Sequence, residues 1–399
     1  MYFGRQIKNQ FNRQIKKILW CGLLAALAVG CKSKQDSYVL SVALPLTGDV
    51  AAMGQGMKRG IELAVAEANK SGKFPKLIKA AFFDDRADPK EAVNVANQIV
   101  SNPATFAVVG HLNSGCSIPS AQVYAKNNLL MVSPAATNPK LTLQQMEPSW
   151  KWPRNVFRVN ATDDVQGKFA ANFVRHQLHL EKACIVHDKT PYGQGLAEEF
   201  QKEFLALGGK TISFDGIAVG DKDFKALLTR LQSLKPDVLY FGGTYNEGGL
   251  VVRQARQMNF AATYVSGDGD QSPEYLKIAG ADAEGSYITN VGVPLEQLPS
   301  AQQFLDQYKQ TYPNVDFQPY DHYAYEAAML AITALEKAGM QDDGTVNRPA
   351  MLEWTSAVKY EGILGTTEFD EKGDTKNKAI TVYKVTEGKF VPVPSVLDK

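Results

Sequence analysis

From Tyr38 onward, short runs of apolar and β-branched residues alternate with longer stretches whose apolar positions recur every three to four residues. The runs 38–44, 77–83, 105–109 and 130–133 predict strands. Between them 57–69, 89–100 and 117–127 have helical spacing; Met57, Ile61, Ala64, Val65 and Ala68, for example, share one face. Asp88 is placed as an N-cap ahead of a helix begun by Pro89. After a Pro- and Trp-rich stretch, 148–153, the pattern repeats. Strands are predicted at 183–187, 211–217, 238–241 and 263–266, and helices at 192–207, 224–234 and 248–258. Such repetition defines an α/β chain with parallel sheets flanked by helices, here as two units of similar grammar with a cleft between them. From about Asn290 the chain is helix-rich (299–312, 320–338, 348–359), then strand-forming at 366–369 and 379–385. These last pieces are too short to fold alone and are expected to dock on the two units.

Residues 1–30 break the pattern. Arg5, Lys8, Arg13, Lys16 and Lys17, with no acid among them, precede an apolar run from Ile18 to Gly30. Basic head, short apolar middle and small-residue end make the layout of a secretory signal. As a helix the run spans about 20 Å, short of the roughly 30 Å hydrocarbon core. Leu27-Ala28-Val29-Gly30-Cys31 resembles the lipobox of bacterial lipoproteins. That resemblance implies cleavage of the signal peptide 1–30, a diacylglyceryl thioether on Cys31 and a tether over 31–37. A cleaved signal with no lipid is the alternative. Either way the mature chain is expected outside the cytoplasm, with a lipid as its sole attachment to a membrane.

The chain has 43 basic and 42 acidic residues; without 1–30 it has 38 and 42, a net charge of −4. This balance excludes the bulk positive charge of a non-specific nucleic-acid binder. Beyond the leader, only Cys116 and Cys184 remain besides Cys31. They fall in different units, so no disulfide is expected.

Enzyme and metal signatures fail on spacing. Gly54-x-Gly56-x-x-x-Gly60 is one residue too long for a dinucleotide turn and starts too far beyond the first strand. There is no phosphate-binding lysine loop, no nucleophile elbow and no paired-histidine zinc motif. His176 and His179, placed i,i+3 on one helix beside Glu181, read as a solvated helix end rather than a metal site. Asp268-x-Asp270-x-Ser272 lacks the twelfth-position acid of a calcium loop. No cofactor, metal or catalytic residue is expected.

Positive signals lie at strand ends, where open α/β sheets bind ligands. Gly110-His111-Leu112-Asn113-Ser114-Gly115-Cys116-Ser117 joins a strand to a helix through small residues, leaving N–H groups able to meet an anion. Ser133-Pro134-Ala135-Ala136-Thr137 offers a carbonyl and a hydroxyl. In the second unit Ser266-Gly267-Asp268-Gly269 offers a carboxylate, and the turn before Tyr192 an aromatic ring.

At these residues the chain resembles the leucine/isoleucine/valine-binding protein family. Gly110-His111-Leu112 with Ser114, Ser133 to Thr137, Ile185-Val186-His187-Asp188-Lys189 with Tyr192-Gly193, Arg253-Gln254-Ala255-Arg256 and Phe369-Asp370-Glu371-Lys372-Gly373-Asp374 carry the likeness, in order, almost to the C-terminus. The resemblance implies a type I periplasmic-binding-protein fold of two Rossmann-like lobes joined by a three-stranded hinge. The lobes would be 38–158 plus 290–364 and 159–289 plus 365–399. It further implies a monomer that captures an amino acid and serves an ABC-transporter permease, without catalysis. Ser114 and Thr137 would hold the ligand carboxylate. Ala135, Thr137 and Asp268 would hold the ammonium, with Ala136 in the same run and Tyr192 closing from the other lobe. Asp268 replaces the family's Glu, and the family's disulfide positions are Ala87 and Asn113, so that bridge is absent. Met53 and Thr244 replace aromatic wall residues, with Gly115, Cys116 and Tyr245 as further wall candidates. Related ligands (an amide, a urea, an aromatic acid) and a sensor role stay open.

Overall fold

The computed structural model describes residues Ser37–Pro394; the signal, the tether and Cys31 lie outside the described residues. Two sheets organise the chain. The first is wholly parallel, in the order β2-β1-β3-β4-β5: β1 Ser37–Leu44, β2 Leu77–Asp84, β3 Thr105–Gly110, β4 Leu130–Ser133 and β5 Val156–Arg158. The second has β6 Lys182–His187, β7 Lys210–Gly216, β8 Val238–Gly242, β9 Thr263–Ser266 and β10 Tyr287–Val291, all parallel. Beyond β10 it gains an antiparallel hairpin, β13 Ile380–Thr386 and β14 Lys389–Val393, giving the order β14-β13-β10-β9-β8-β6-β7. A small ribbon, β11 Lys359–Gly362 with β12 Gly365–Glu368, completes the strands.

The central strands read as unbroken apolar runs because both faces are covered, as parallel sheets require. Successive side chains enter opposite cores. Val42 and Val109 pack to one side of the first sheet, Ala43 and Val108 to the other. In the second sheet Cys184 and Val186 face one core, Ala183 and Ile185 the other. Asp88 caps the helix Pro89–Ser101 as its spacing predicts, accepting from the Lys90 and Glu91 N–H groups at 2.9 and 2.8 Å.

The glycines of the 54–60 run have a packing role. They lie on the helix Ala51–Lys70, where a Cβ at Gly56 or Gly60 would stand 2.0 Å from Asp321, on the helix Asp321–Ala334. That close approach seats the late helix beside the first sheet, whereas β13 and β14 return to the second. Chain therefore passes between the sheets after β5, after β10 and after β12.

The first passage is fastened by a buried ion pair. Arg158, at the end of β5, is wholly inaccessible and donates to Asp374 Oδ1 from Nε at 2.8 Å and Nη2 at 2.6 Å. Its Nη1 donates to the Ala136 and Asn138 carbonyls, both at 2.9 Å. Burial pushes Asp374 upward, but the Arg158 charge and hydrogen bonds outweigh it and hold the carboxyl below its ordinary value.

Two sequence expectations need correction. His176 sits in a π-helical turn, Phe173–Gln177, but His179 lies beyond it with φ +55°, so they do not share a helix; among the described residues no cluster able to hold a metal occurs. The chain near Asn290, expected to open a helical region, is the end of β10. Cys116 and Cys184 are separate, buried thiols.

Candidate functional site

In each sheet the strand order reverses beside its first strand, between β1 and β3 and between β6 and β8. Loops leaving neighbouring strands there diverge to opposite faces and open a crevice at the carboxyl ends. The two crevices face each other across one pocket, which with the solvent at its mouth takes up about 310 Å³.

Leu112, Asn113 and Ser114 follow β3, and Ala135, Ala136 and Thr137 follow β4; all six line the pocket. Gly110 ends β3 at φ +138°, where a Cβ would stand 2.2 Å from the Ala43 carbonyl, so only glycine permits this exit. Ser114 heads the helix Ser114–Ala125, and its Oγ accepts from Asn138 N–H at 3.2 Å, tying the two loops together. The Ala135 carbonyl accepts from Asn160 Nδ2 at 3.2 Å and keeps a second lone pair. Thr137 Oγ1 is buried beside the Asp163 carboxyl, with no hydrogen bond of good geometry among the described residues.

From the second sheet come Tyr192, Thr244, Asp268 and Gly269. Tyr192 begins the helix Pro191–Ala206, capped by Thr190, whose Oγ1 accepts from Gly193 N–H at 3.0 Å. The Tyr192 hydroxyl donates to Asp268 Oδ1 at 3.0 Å and accepts from Gly269 N–H at 2.8 Å. Asp268 Oδ2 accepts from the Tyr320 hydroxyl. Burial raises the Asp268 carboxyl above its ordinary range, and its tyrosine hydrogen bonds partly offset the rise.

The pocket thus has a hydroxyl- and amide-lined wall facing a carboxylate held by two phenols. Met53 and Leu112 supply apolar surface. Such a chamber can satisfy both poles of a small zwitterion.

Of the wall candidates, Met53 and Thr244 line the pocket, whereas Gly115, Cys116 and Tyr245 do not. Gly115 lies at the seam between the halves, its Cβ position 3.3 Å from Pro191. Cys116 is fully buried within its helix, and burial pushes the thiol upward. Tyr245 forms part of the rim: its hydroxyl donates to the Asp49 carbonyl of the first unit at 2.8 Å, beside a second donor, Asn246 Nδ2.

Two residues escaped the sequence reading. Tyr320 stands at the N-cap of the helix Asp321–Ala334, more than 50 residues from Asp268 in sequence, and nothing local marks it as a pocket residue. Asp163, at the start of the helix Asp163–Asn172, has both carboxyl oxygens buried and in no good hydrogen-bond geometry. Burial first, and then the Asp268 charge, raise it far above the ordinary carboxylate range. No local signal distinguishes it from a helix-capping acid.

Fold and pocket together define a two-lobed α/β protein of the ligand-binding class, with a pocket between its two sheets. Residues 39–389 match the model of the periplasmic binding protein family, and the chain belongs to that family. It is 37% identical over 383 residues to Leu/Ile/Val-binding protein homolog 2 of Brucella abortus, covering 94% of this chain and 97% of that one. Among solved structures it is similar to the leucine-binding protein LivK of Thermotoga maritima (TM-score 0.80, 28% identity, 90% and 98% of the two chains). It is also similar to the branched-chain amino acid binding protein LivJ of Streptococcus pneumoniae in complex with isoleucine (TM-score 0.78, 26% identity, 90% and 100%).

Proposed function

We propose that the chain captures a free neutral amino acid, branched-chain or similar, by closing its lobes 38–158 plus 290–364 and 159–289 plus 365–399, and hands it unaltered to an ABC permease. What carries the reading is the placement of the buried Asp268 opposite Ser114, Ala135 and Thr137. A zwitterion entering the cleft loses water around both charges, at several kcal/mol per unpaired charge. Charge-assisted hydrogen bonds contribute roughly 1.5–3 kcal/mol each. Because the donors and the acid belong to opposite lobes, the full set forms only on closure, and that difference between states drives the closure.

In this reading Ser114, Ala136 and Thr137 meet the carboxylate. Asp268, the Ala135 carbonyl and Thr137 meet the ammonium, while Met53, Thr244 and Tyr320 bound the side chain. Cys31 carries the lipid that keeps a monomeric protein beside its permease. Calorimetry with the common amino acids tests it. Leucine-like ligands bind, and Asp268→Asn weakens them by about 2–5 kcal/mol, the cost of truncating a buried charge pair. Unchanged affinity in Asp268→Asn sinks the amino-acid reading and favours an amide, urea or aromatic acid, none of which needs that charge.

A further inference from the structure

A second cavity lies outside the pocket described above, alongside the passage that follows β10. It encloses about 970 Å³ of space open to solvent. Its walls come from both halves: Tyr383 and Phe390 belong to the β13–β14 hairpin, and Phe317 and His322 flank the start of the helix Asp321–Ala334. The segments 268–273 and 317–322 serve both chambers. Asp268, Gly269 and Tyr320 line the first, while Gln271, Gln318 and His322 line the second. These segments are joined by Ser272 Oγ donating to Gln318 Oε1 at 2.8 Å.

The lining is chemically one-sided. Three half-buried rings and several prolines give apolar, flat walls, and no lysine or arginine contributes. Glu296 is the single charged side chain on the lining; it is exposed and makes no hydrogen bond or ion pair among the described residues. His322 is 8% accessible, and its ring stacks on Phe317 with centroids 5.7 Å apart and planes at 19°. Its Nδ1 is buried with no partner among the described residues. Burial pushes this imidazole down to about 3, so it stays neutral and does not repel a cation.

We propose that this cavity is a second binding site, for a planar aromatic amine: aromatic walls receive the ring and Glu296 receives the ammonium. Cations are further favoured by the ring faces themselves. The occupant would touch the same two segments that carry Asp268 and Tyr320, so it is placed to act on the first pocket.

Tryptamine, indole and indole-3-acetate, titrated separately into the full mature protein without amino acid, test the proposal independently of what the first pocket binds. Tryptamine is expected to bind best and indole-3-acetate least. Glu296→Gln should weaken tryptamine about three- to fivefold, the scale of an exposed ion pair, and leave indole unchanged. Val293→Trp, at an exposed position on the cavity lining, should fill the space and abolish both, with its melting curve confirming folding. Three results overturn the site: no tryptamine binding, binding undiminished by Val293→Trp, or binding lost in Asp268→Asn, which would place the amine in the first pocket.

Discussion

The two lobes meet the pocket with opposite chemistry. The first presents hydroxyls and main-chain groups on loops after β3 and β4, and Arg158 behind them holds the Ala136 and Asn138 carbonyls. The second presents Asp268, held by phenols rather than by a cation. In the first lobe a buried charge is neutralised within the protein and fixes loop shape. In the second the Asp268 carboxylate has neutral hydrogen-bond partners, and in the proposed reading the ammonium of the ligand meets its charge. The two buried groups thus differ in partner: Arg158 meets a counter-ion within the protein, whereas Asp268 meets phenols.

The contrast predicts different losses. Arg158→Met strips Asp374 of its buried counter-ion and leaves only Lys372 Nζ, 3.9 Å away, to pair with it, so stability in denaturant melts should fall by about 3–5 kcal/mol. If the cost is under about 1 kcal/mol, the pair is not what holds the loop. Thr137→Val removes a hydroxyl that lies beside the Asp163 carboxyl but makes no well-formed hydrogen bond within the protein. Affinity for the amino acid should drop by about 1.5–3 kcal/mol, typical of a hydrogen bond to a charge, while the melting temperature holds. A fall in both would make Thr137 structural.

Carboxylates behind these surfaces set a pH dependence. Burial raises Asp270, Asp321 and Glu326, each to about 7. Each stays protonated in the folded chain where the unfolded chain ionises, so stability should fall as pH rises from about 4 to 7. Asp374 acts oppositely: its folded value is depressed, so its contribution is lost as pH drops below about 4. Melting temperature should therefore peak in mild acid. Glu326→Gln, which keeps an acceptor for the Ile363 N–H, should flatten the neutral side; an unchanged slope would clear Glu326 of the effect. The smallest change is expected at the rim, where Tyr245→Phe removes one hydrogen bond between the lobes, worth about 0.5–1.5 kcal/mol. Ligand release should quicken severalfold in stopped flow, and an unaltered rate would mean the contact is incidental.

Much of this was legible in the chain itself. The alternating units and the strand-end loops around Ser114, Thr137, Tyr192 and Asp268 stand out because parallel strands buried on both faces leave continuous apolar runs. What stayed hidden did so where polar groups occupy core positions. β5 contains the buried Arg158, and β10 contains Thr289, whose hydroxyl donates to the Ser266 carbonyl at 3.1 Å. Both strands therefore lack the apolar signature. Tyr320 and Asp163 reach the pocket region from distant parts of the chain, and periodicity carries no information about such meetings. Gly115, Cys116 and Tyr245 neighbour true lining residues, but adjacency in sequence does not decide which way a helix start turns.

Arg158 and Asp374 are separated by 216 positions. During synthesis, then, a guanidinium waits for a counter-ion that emerges 216 residues later. Until it arrives, the Ala136 turn lacks its anchor, and a truncated polypeptide would carry a stranded cation in its interior. The bond thus sets an order of assembly: the turn behind the pocket is locked only after the segment following β12 has been made.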